Sequence, residues 1–451
     1  MSKLNAFARP HVYLARFFAA ALVLVLLMAS PARAIDIQVV KTPGGITAWL
    51  IEDATVPLMS MQFLFRGGSV LDPAGKTGLA ELVSGVLDEG AGAYDSAQFQ
   101  RRLEDNSISL RFNAVLESFG GSLKALTENR NEAIELLRLA LTAPRFDSEP
   151  VARVKGQMLA QVKRRAERPR NIAGRAWNQA TFADHPYGRD TDGTKTTIPA
   201  ITVDDLRQFV KTRLGRDNLI IGVVGDIAPA QLAPLLDRAF GALPAKAAAY
   251  TVPPAKVVGA GKVIVVERNI PQTVVIFGQA GIRRDDPDYY VASVMNYILG
   301  GGGLTSRLGD EIREKRGLAY SVYTRLESYN KAGLIIGEVA TQNTRVAKSL
   351  ELIRAEWTRM ATTPVSLKEL EDAKSYLTGS YFTRLNSTGR IAGLLVGIQF
   401  DNLGIDYLKR RNGLINVVTI SDIERVARRL LKSEALTVVM VGKPRGITAQ
   451  P

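Results

Sequence analysis

Cysteine is absent from all 451 residues, and histidine nearly so, with two. The first absence excludes disulfides and thiolate chemistry, so the fold must rest on its core. The second is as restrictive. His11 lies in an N-terminal leader-like stretch, which leaves His185 alone. A zinc hydrolase draws three protein ligands from His, Cys and carboxylates, commonly two His and one Glu. A Ser-His-Asp triad would have to use His185, whose surroundings "FADHPYGRD" read as a turn before Pro186 and Gly188. A surface or loop-packing histidine is expected there.

Long apolar runs are missing beyond the first 34 residues. The stretch "FFAAALVLVLLMA" follows Lys3, Arg9 and Arg16, breaks at Ser30-Pro31 and ends in Ala32-Arg33-Ala34. That order predicts a secretory signal peptide over 1–34, cleaved after Ala34, and a periplasmic mature chain with no membrane span. The alternative, an uncleaved anchor, needs a run of about 20 apolar residues. Removing Lys3, Arg9, Arg16 and Arg33 with no acid takes the net charge from +14 to +10. The densest basic stretch, "RVKGQMLAQVKRRAERPR" (153–170), spaces its apolar residues helically and holds no aromatic for base stacking. It reads as a solvated helix face, and nucleic acid is not expected as a partner.

With 46% hydrophobic and 23% charged residues, the composition is that of a folded globular chain. The length allows two or three domains. Internal repetition decides between them. "ITVDDLRQFVKTRLGRDNLIIGVVGD" (201–226) and "VTISDIERVARRLLKSEALTVVMVGK" (418–443) share one plan, with Gly225 answering Gly442 at an offset of 217. Ile172-Ala173-Gly174 answers Ile391-Ala392-Gly393 at 219, Val56-Pro57 answers Ile270-Pro271 at 214, and "VLES" (115–118) answers "RLES" (325–328) at 210. Such slowly drifting offsets are those of two copies of one domain separated by small insertions.

Within each copy, period-two segments such as "PLMSMQFLF" and "SISLRFNAVLESFGGSLKAL" predict half-buried antiparallel strands, whereas 149–180 and 366–395 predict long helical arms. The expected fold is α+β, two homologous domains, each a largely antiparallel sheet with helices packed on one face. The copies span 35–243 and 263–446, and the Ala-, Pro- and Gly-rich stretch 244–262 is the linker.

The stretches "FRGGSVLDPAGKTGLAELV" in the first copy and "ILGGGGLTSRLGDEIREKRGLAYSVY" (298–323) in the second make the chain resemble the pitrilysin and insulinase family of zinc metallopeptidases. The likeness is to the branch of mitochondrial processing peptidase and its two-domain bacterial relatives, and it covers the whole mature chain. In that family the helix after "GKTGLA" carries an HxxEH motif, in which two histidines hold zinc and the glutamate activates water. A further glutamate about 76 residues on completes the ligands. The resemblance places the first histidine at Glu81, the base at Ser84, the second histidine at Gly85 and the third ligand at Gln161. All four are replaced, so no metal or other cofactor is expected in this chain. The helix remains because Leu79, Leu82, Val83, Val86 and Leu87 make a core face. Glu81 reads as an exposed helix glutamate.

The resemblance also implies that Arg313 and Tyr320, in "REKRGLAY", are the pair that grips substrate opposite the zinc. Gly317 is expected to cap the helix that carries Arg313 and to put Tyr320 at the head of the next strand. Asn113-Ala114 resembles the family's substrate-pairing edge strand. The run Gly300–Gly303 lacks the GK[ST] of a phosphate loop and is expected to be a flexible turn. Together these imply a non-catalytic subunit, with zinc in a homologous HxxEH-bearing partner and peptides as substrates. The alternative is a peptide-binding or assembly scaffold without peptidase activity.

Overall fold

The computed structural model describes residues 36–383 and 385–449, so the expected signal peptide lies outside the described residues. The alternating segments of the first copy pair into one sheet. Its strands are β1 (Gln38–Lys41), β2 (Thr47–Glu52), β3 (Leu58–Arg66), β4 (Ser109–Ala114), β5 (Ser118–Leu126) and β6 (Leu219–Gly225), ordered β1-β2-β6-β3-β5-β4. The second copy builds β7 (Val263–Glu267), β8 (Gln272–Ala280), β9 (Ala319–Ser328), β10 (Gly333–Gln342) and β11 (Thr437–Gly442), ordered β7-β11-β8-β10-β9. Leaving out β1, the two orders are the same, so the repeat in the sequence is a repeat of topology. Each sheet is mixed: β2 runs parallel to β6 and β7 to β11, and the pairs at the centre are antiparallel.

Side chains alternate faces along a strand. In the first sheet Met61 and Phe63 point into a core closed by Leu82 and Val83 of the helix Leu79–Val86, Leu137 of Arg130–Thr142, Phe209 of Val203–Arg213 and Phe240 of Pro229–Phe240. The second core repeats this with Phe277 and Trp357, whose rings meet edge to face.

The opposite face of each sheet is also covered, by a helix from the other copy. Thr388–Phe400 lies across β3 and β6, and Pro169–Phe182 lies across β8 and β11. These are the segments that answer each other at offset 219. Across the first sheet Ser60 and Thr388 share a hydroxyl hydrogen bond of 2.8 Å, and the Gln399 amide donates to the Ile221 carbonyl at 3.0 Å. A Cβ at Gly222 would stand 2.5 Å from the Ala392 carbonyl oxygen, so the strand admits the helix only because that residue is glycine. Across the second sheet Trp177 is fully buried, and its indole N–H donates to the Thr437 carbonyl at 3.2 Å. A sheet with helices on one face thus describes each copy's own helices, while the exchanged helix fills the second face.

The expected arms are each two helices. Ser148–Glu167 stops at Arg168, which the following Pro169 holds extended at φ −83° and ψ 120°, and Pro169–Phe182 then sets off across the other sheet. In the second copy Leu367–Thr383 and Thr388–Phe400 are separate, and the Ser387 side chain caps the second by accepting from the Arg390 N–H at 3.4 Å. Residues 244–262 hold no helix or strand before the turn at 260, yet they are fastened down. Val258 N–H donates to Thr181 at 2.8 Å, and Val252, Ala255 and Val257 pack against the cluster around Trp177.

Trp177→Ala removes a fully buried side chain that joins the copies, and it is expected to lower stability by about 3–5 kcal/mol in urea unfolding. A loss under about 1 kcal/mol would show that the exchanged helix contributes little.

Candidate functional site

The helix Leu79–Val86 is held at its start by Asp72. One carboxylate oxygen accepts from the Ala80 N–H at 3.1 Å, and the other takes the Arg213 guanidinium at 2.9 Å. Asp72 is buried and Arg213 nearly so, with its guanidinium stacked 4.5 Å over the Phe209 ring. Leu79, Leu82, Val83, Val86 and Leu87 are all buried, as the core face requires.

The other side of this helix meets Ser148–Glu167 at a cavity of about 510 Å³. Glu81, Ser84, Gly85 and Gln161 all line it, so the fold brings together the four positions that the resemblance assigns to the metal. Their chemistry is not that of a zinc site. Ser84 hydroxyl donates to the Glu81 carbonyl at 2.8 Å, Gln161 accepts from Arg164 at 2.8 Å, and Gly85 offers no side chain. One carboxylate, a hydroxyl and an amide do not make a three-ligand set. Among the described residues, no group of three or more His, Cys, Asp or Glu side chains could hold a metal. A Cβ at Gly85 would stand 2.9 Å from Val154 Cγ1, so the neighbouring helix leaves little room for a larger side chain at that position.

Glu81 is half-buried and not the exposed glutamate expected. Burial in the cavity wall pushes its carboxyl up, against the pull of Arg165. Arg165 itself pairs with Asp192. Where a divalent cation would sit, this wall presents Arg164 and Arg165.

Arg313 and Tyr320 sit together in the second copy, and neither lines that cavity. Arg313 is in a π-helical turn, Gly309–Glu314. Gly317 at φ +56° ends it, donating to the Arg313 carbonyl at 2.9 Å, while Leu318 reaches back to Ile312 at 2.9 Å. β9 then begins at the edge of its sheet. Its register against β10 slips between Val339 and Thr341, so Tyr320 and Ser321 together face the single residue Ala340. That bulge turns Tyr320 outward: it is 84% exposed, with its ring 4.8 Å from the Arg313 guanidinium. Leu103 and Leu110, the matching residues of the first copy, are core residues. The projecting pair is therefore a feature of the second copy alone.

The glycine run leading to this segment is not the flexible turn expected. Tyr297–Gly301 forms a π-helical turn, and a Cβ at Gly300 would stand 2.5 Å from the Thr324 hydroxyl, so close packing against β9 demands glycine there. Beyond it Arg307 makes a bidentate pair with Glu369, at 2.6 and 3.1 Å. Asn113 and Ala114 end β4, which is the edge strand of the first sheet. His185 serves its loop: its Nδ1 accepts from the Tyr187 N–H at 3.1 Å, leaving Nε2–H for the Pro253 carbonyl at 3.0 Å.

Fold and site together define a duplicated peptidase-type scaffold whose mapped metal positions carry no ligand set. The insulinase (peptidase family M16) model matches residues 48–195, and the peptidase M16 inactive domain model matches 200–377. The chain belongs to the M16 peptidase family. It is 30% identical over 367 residues to the "Non-peptidase homolog YmxG" of Helicobacter pylori, covering 80% of this chain and 84% of that protein. An uncharacterized zinc protease of Streptomyces coelicolor is 27% identical, over 73% of this chain and 76% of its own length. Among solved structures, a peptidase M16 inactive domain from Pseudomonas fluorescens superposes with a TM-score of 0.85 at 28% identity, covering 92% of this chain and 100% of that one. The chain is thus similar both to a protein named as a non-peptidase homologue and to proteins named as zinc proteases of this family.

Gly85→His is expected to cost about 1–3 kcal/mol in urea unfolding, with Val154→Ala in the same chain cancelling part of the loss. Additive effects would mean that Val154 does not limit the room at that position. A second expectation concerns acid. Burial raises the Glu369 carboxyl, but Arg307 and the Ser366 N–H outweigh it and hold the group at about 2 rather than 4.5. A depressed carboxylate stabilises the fold above pH 4.5 and loses that contribution as pH falls toward 2. Wild type should therefore exceed Glu369→Gln in stability at neutral pH and converge with it in that window; a constant gap would rule the linkage out.

Proposed function

We propose that this chain is the non-catalytic, substrate-binding subunit of a two-chain periplasmic zinc peptidase, in which a homologous HxxEH-bearing partner holds the metal. The observation that carries the reading is the Arg313–Tyr320 pair, projected by a bulge from an open sheet edge of a chain that lacks the metal ligands. A buried or paired tyrosine would have no such use. Tyr320 keeps its phenol free to donate to an oxyanion forming on a peptide carbonyl, and the five N–H donors of Arg313 can hold neighbouring carbonyls. The sole ion pair of Arg313 among the described residues, to Glu314, is long at 3.5 Å and leaves the guanidinium available. The unpaired edge of β9 suits an extended peptide added as a further strand.

The mature chain, affinity-purified from its native periplasm, is expected to bring with it a second chain of similar length, bound zinc and chelator-sensitive peptide cleavage. Recovery of this chain alone, metal-free and inert, would replace the reading with that of a peptide-binding or assembly scaffold. In the intact complex, Arg313→Ala and Tyr320→Phe should each lower kcat/KM by about tenfold to a hundredfold without changing co-purification. Unchanged cleavage by either variant complex counts against the assigned role.

A further inference from the structure

The cavity at Glu81 does not end at Gln161. A second cavity, of about 540 Å³, shares Gln161, Arg165 and Asp192 with it and runs between the first arm and the face of the second sheet, where Ile276 and Ile336 form its floor. Six arginines line this second cavity against three acids, and each acid is already matched. Asp192 pairs with Arg165, Asp190 with Arg175 at 2.8 Å, and Glu338 with Arg170 at 2.7 Å. The surplus is Arg168 and Arg189, with Arg325 beside them paired to an acid outside the cavity, Glu327. Arg189 reaches only the backbone carbonyl of Asp72, at 3.2 Å. Arg168 has no ion-pair partner among the described residues.

The convergence follows from the break at Pro169. A continuous helix would spread the basic stretch 153–170 around its surface, as a solvated face. With Arg168 extended, the end of one helix and the start of the next turn their arginines into the same concavity. Uncompensated cations in a concave wall focus a positive potential. The guanidinium fork is matched to carboxylates, which it can bind through two parallel bonds. The cavity's remaining polar lining, Asn171 and Asn178 among it, offers amide donors and acceptors suited to a peptide backbone. No aromatic ring lines this second cavity and Phe112 alone lines the first, so successive bases would find no row of stacking platforms.

We propose that this continuous groove is a binding site for an acidic peptide segment, held by this chain alone with its carboxylates on Arg168, Arg189 and Arg325. Its far end is the place where relatives would carry a metal, so a peptide lying there is retained and not cut. The site lies apart from Arg313 and Tyr320, and its use does not depend on a partner.

The test is fluorescence anisotropy of the intact mature chain with a labelled octapeptide of alternating Glu and Ala, against the Gln-Ala analogue, inorganic phosphate and a single-stranded DNA octamer. The Glu peptide should bind at least about tenfold more tightly than the Gln peptide, and more weakly as salt rises. Arg168→Glu and Arg325→Glu should each weaken it by about tenfold or more, with Lys409→Glu as a control that leaves it unchanged. Thermal unfolding of each variant shows that it is folded, and Arg168 is exposed enough that its reversal leaves the core intact. Equal binding of the Glu and Gln peptides, or wild-type binding by both reversals, would overturn the proposal. So would displacement by phosphate at matched charge, which assigns the groove to free anions, or tighter binding of the DNA that the same reversals abolish.

Discussion

Each sheet in this protein depends on a helix that belongs to the other copy. β6 is third and β11 second from one side of their sheets, with neighbours on both edges and helices on both faces, and they are buried along nearly their whole length. A strand so placed can only be apolar throughout. Once Thr388–Phe400 lies on β3 and β6, and Pro169–Phe182 on β8 and β11, the remaining geometry follows. The arms break to reach across, and the space beside the break at Arg168 is a cavity lined by residues of both copies.

Much of this was legible in the sequence, though not all of it was understood. The repeat, the paired strands and the core face of Leu79–Val86 all follow from periodicity. The exchange of helices does not, yet "LIIGVVG" and "TVVMVG" carry its signature, since neither shows the polar alternation of a sheet with one wet face. Periodicity within a segment reports burial; it does not report which part of the chain supplies the cover. The helical spacing of the first arm runs straight past Arg168 and carries no sign of the break there. The conformational restriction imposed by Pro169 outweighs that spacing. The same residue explains why the basic stretch looked like a solvated face and is partly the wall of a groove.

The mapped metal positions show how a site disappears without the scaffold noticing. Asp72 and Arg213 still fix the start of the helix, and the core face still packs. Beside the replaced positions, Val154 of the neighbouring helix stands against Gly85. The second copy differs from the first at another pair of positions. Leu103 and Leu110 correspond to Arg313 and Tyr320, and a bulge in β9 lifts the latter pair out of the packing that the former pair serves. The resemblance points to that pair, but the bulge that exposes Tyr320 lies in the register with β10, which no local pattern encodes.

The exchanged helices also impose an order on biosynthesis. A ribosome releases β6 by residue 225, but the helix that seals its outer face begins at Thr388. Throughout the interval the first copy can complete its inner core and still present an apolar sheet surface with nothing to cover it. Its partner helix, Pro169–Phe182, is equally stranded until β11 is made at Thr437–Gly442. The outer face of each sheet is thus covered only once elements of both copies are present.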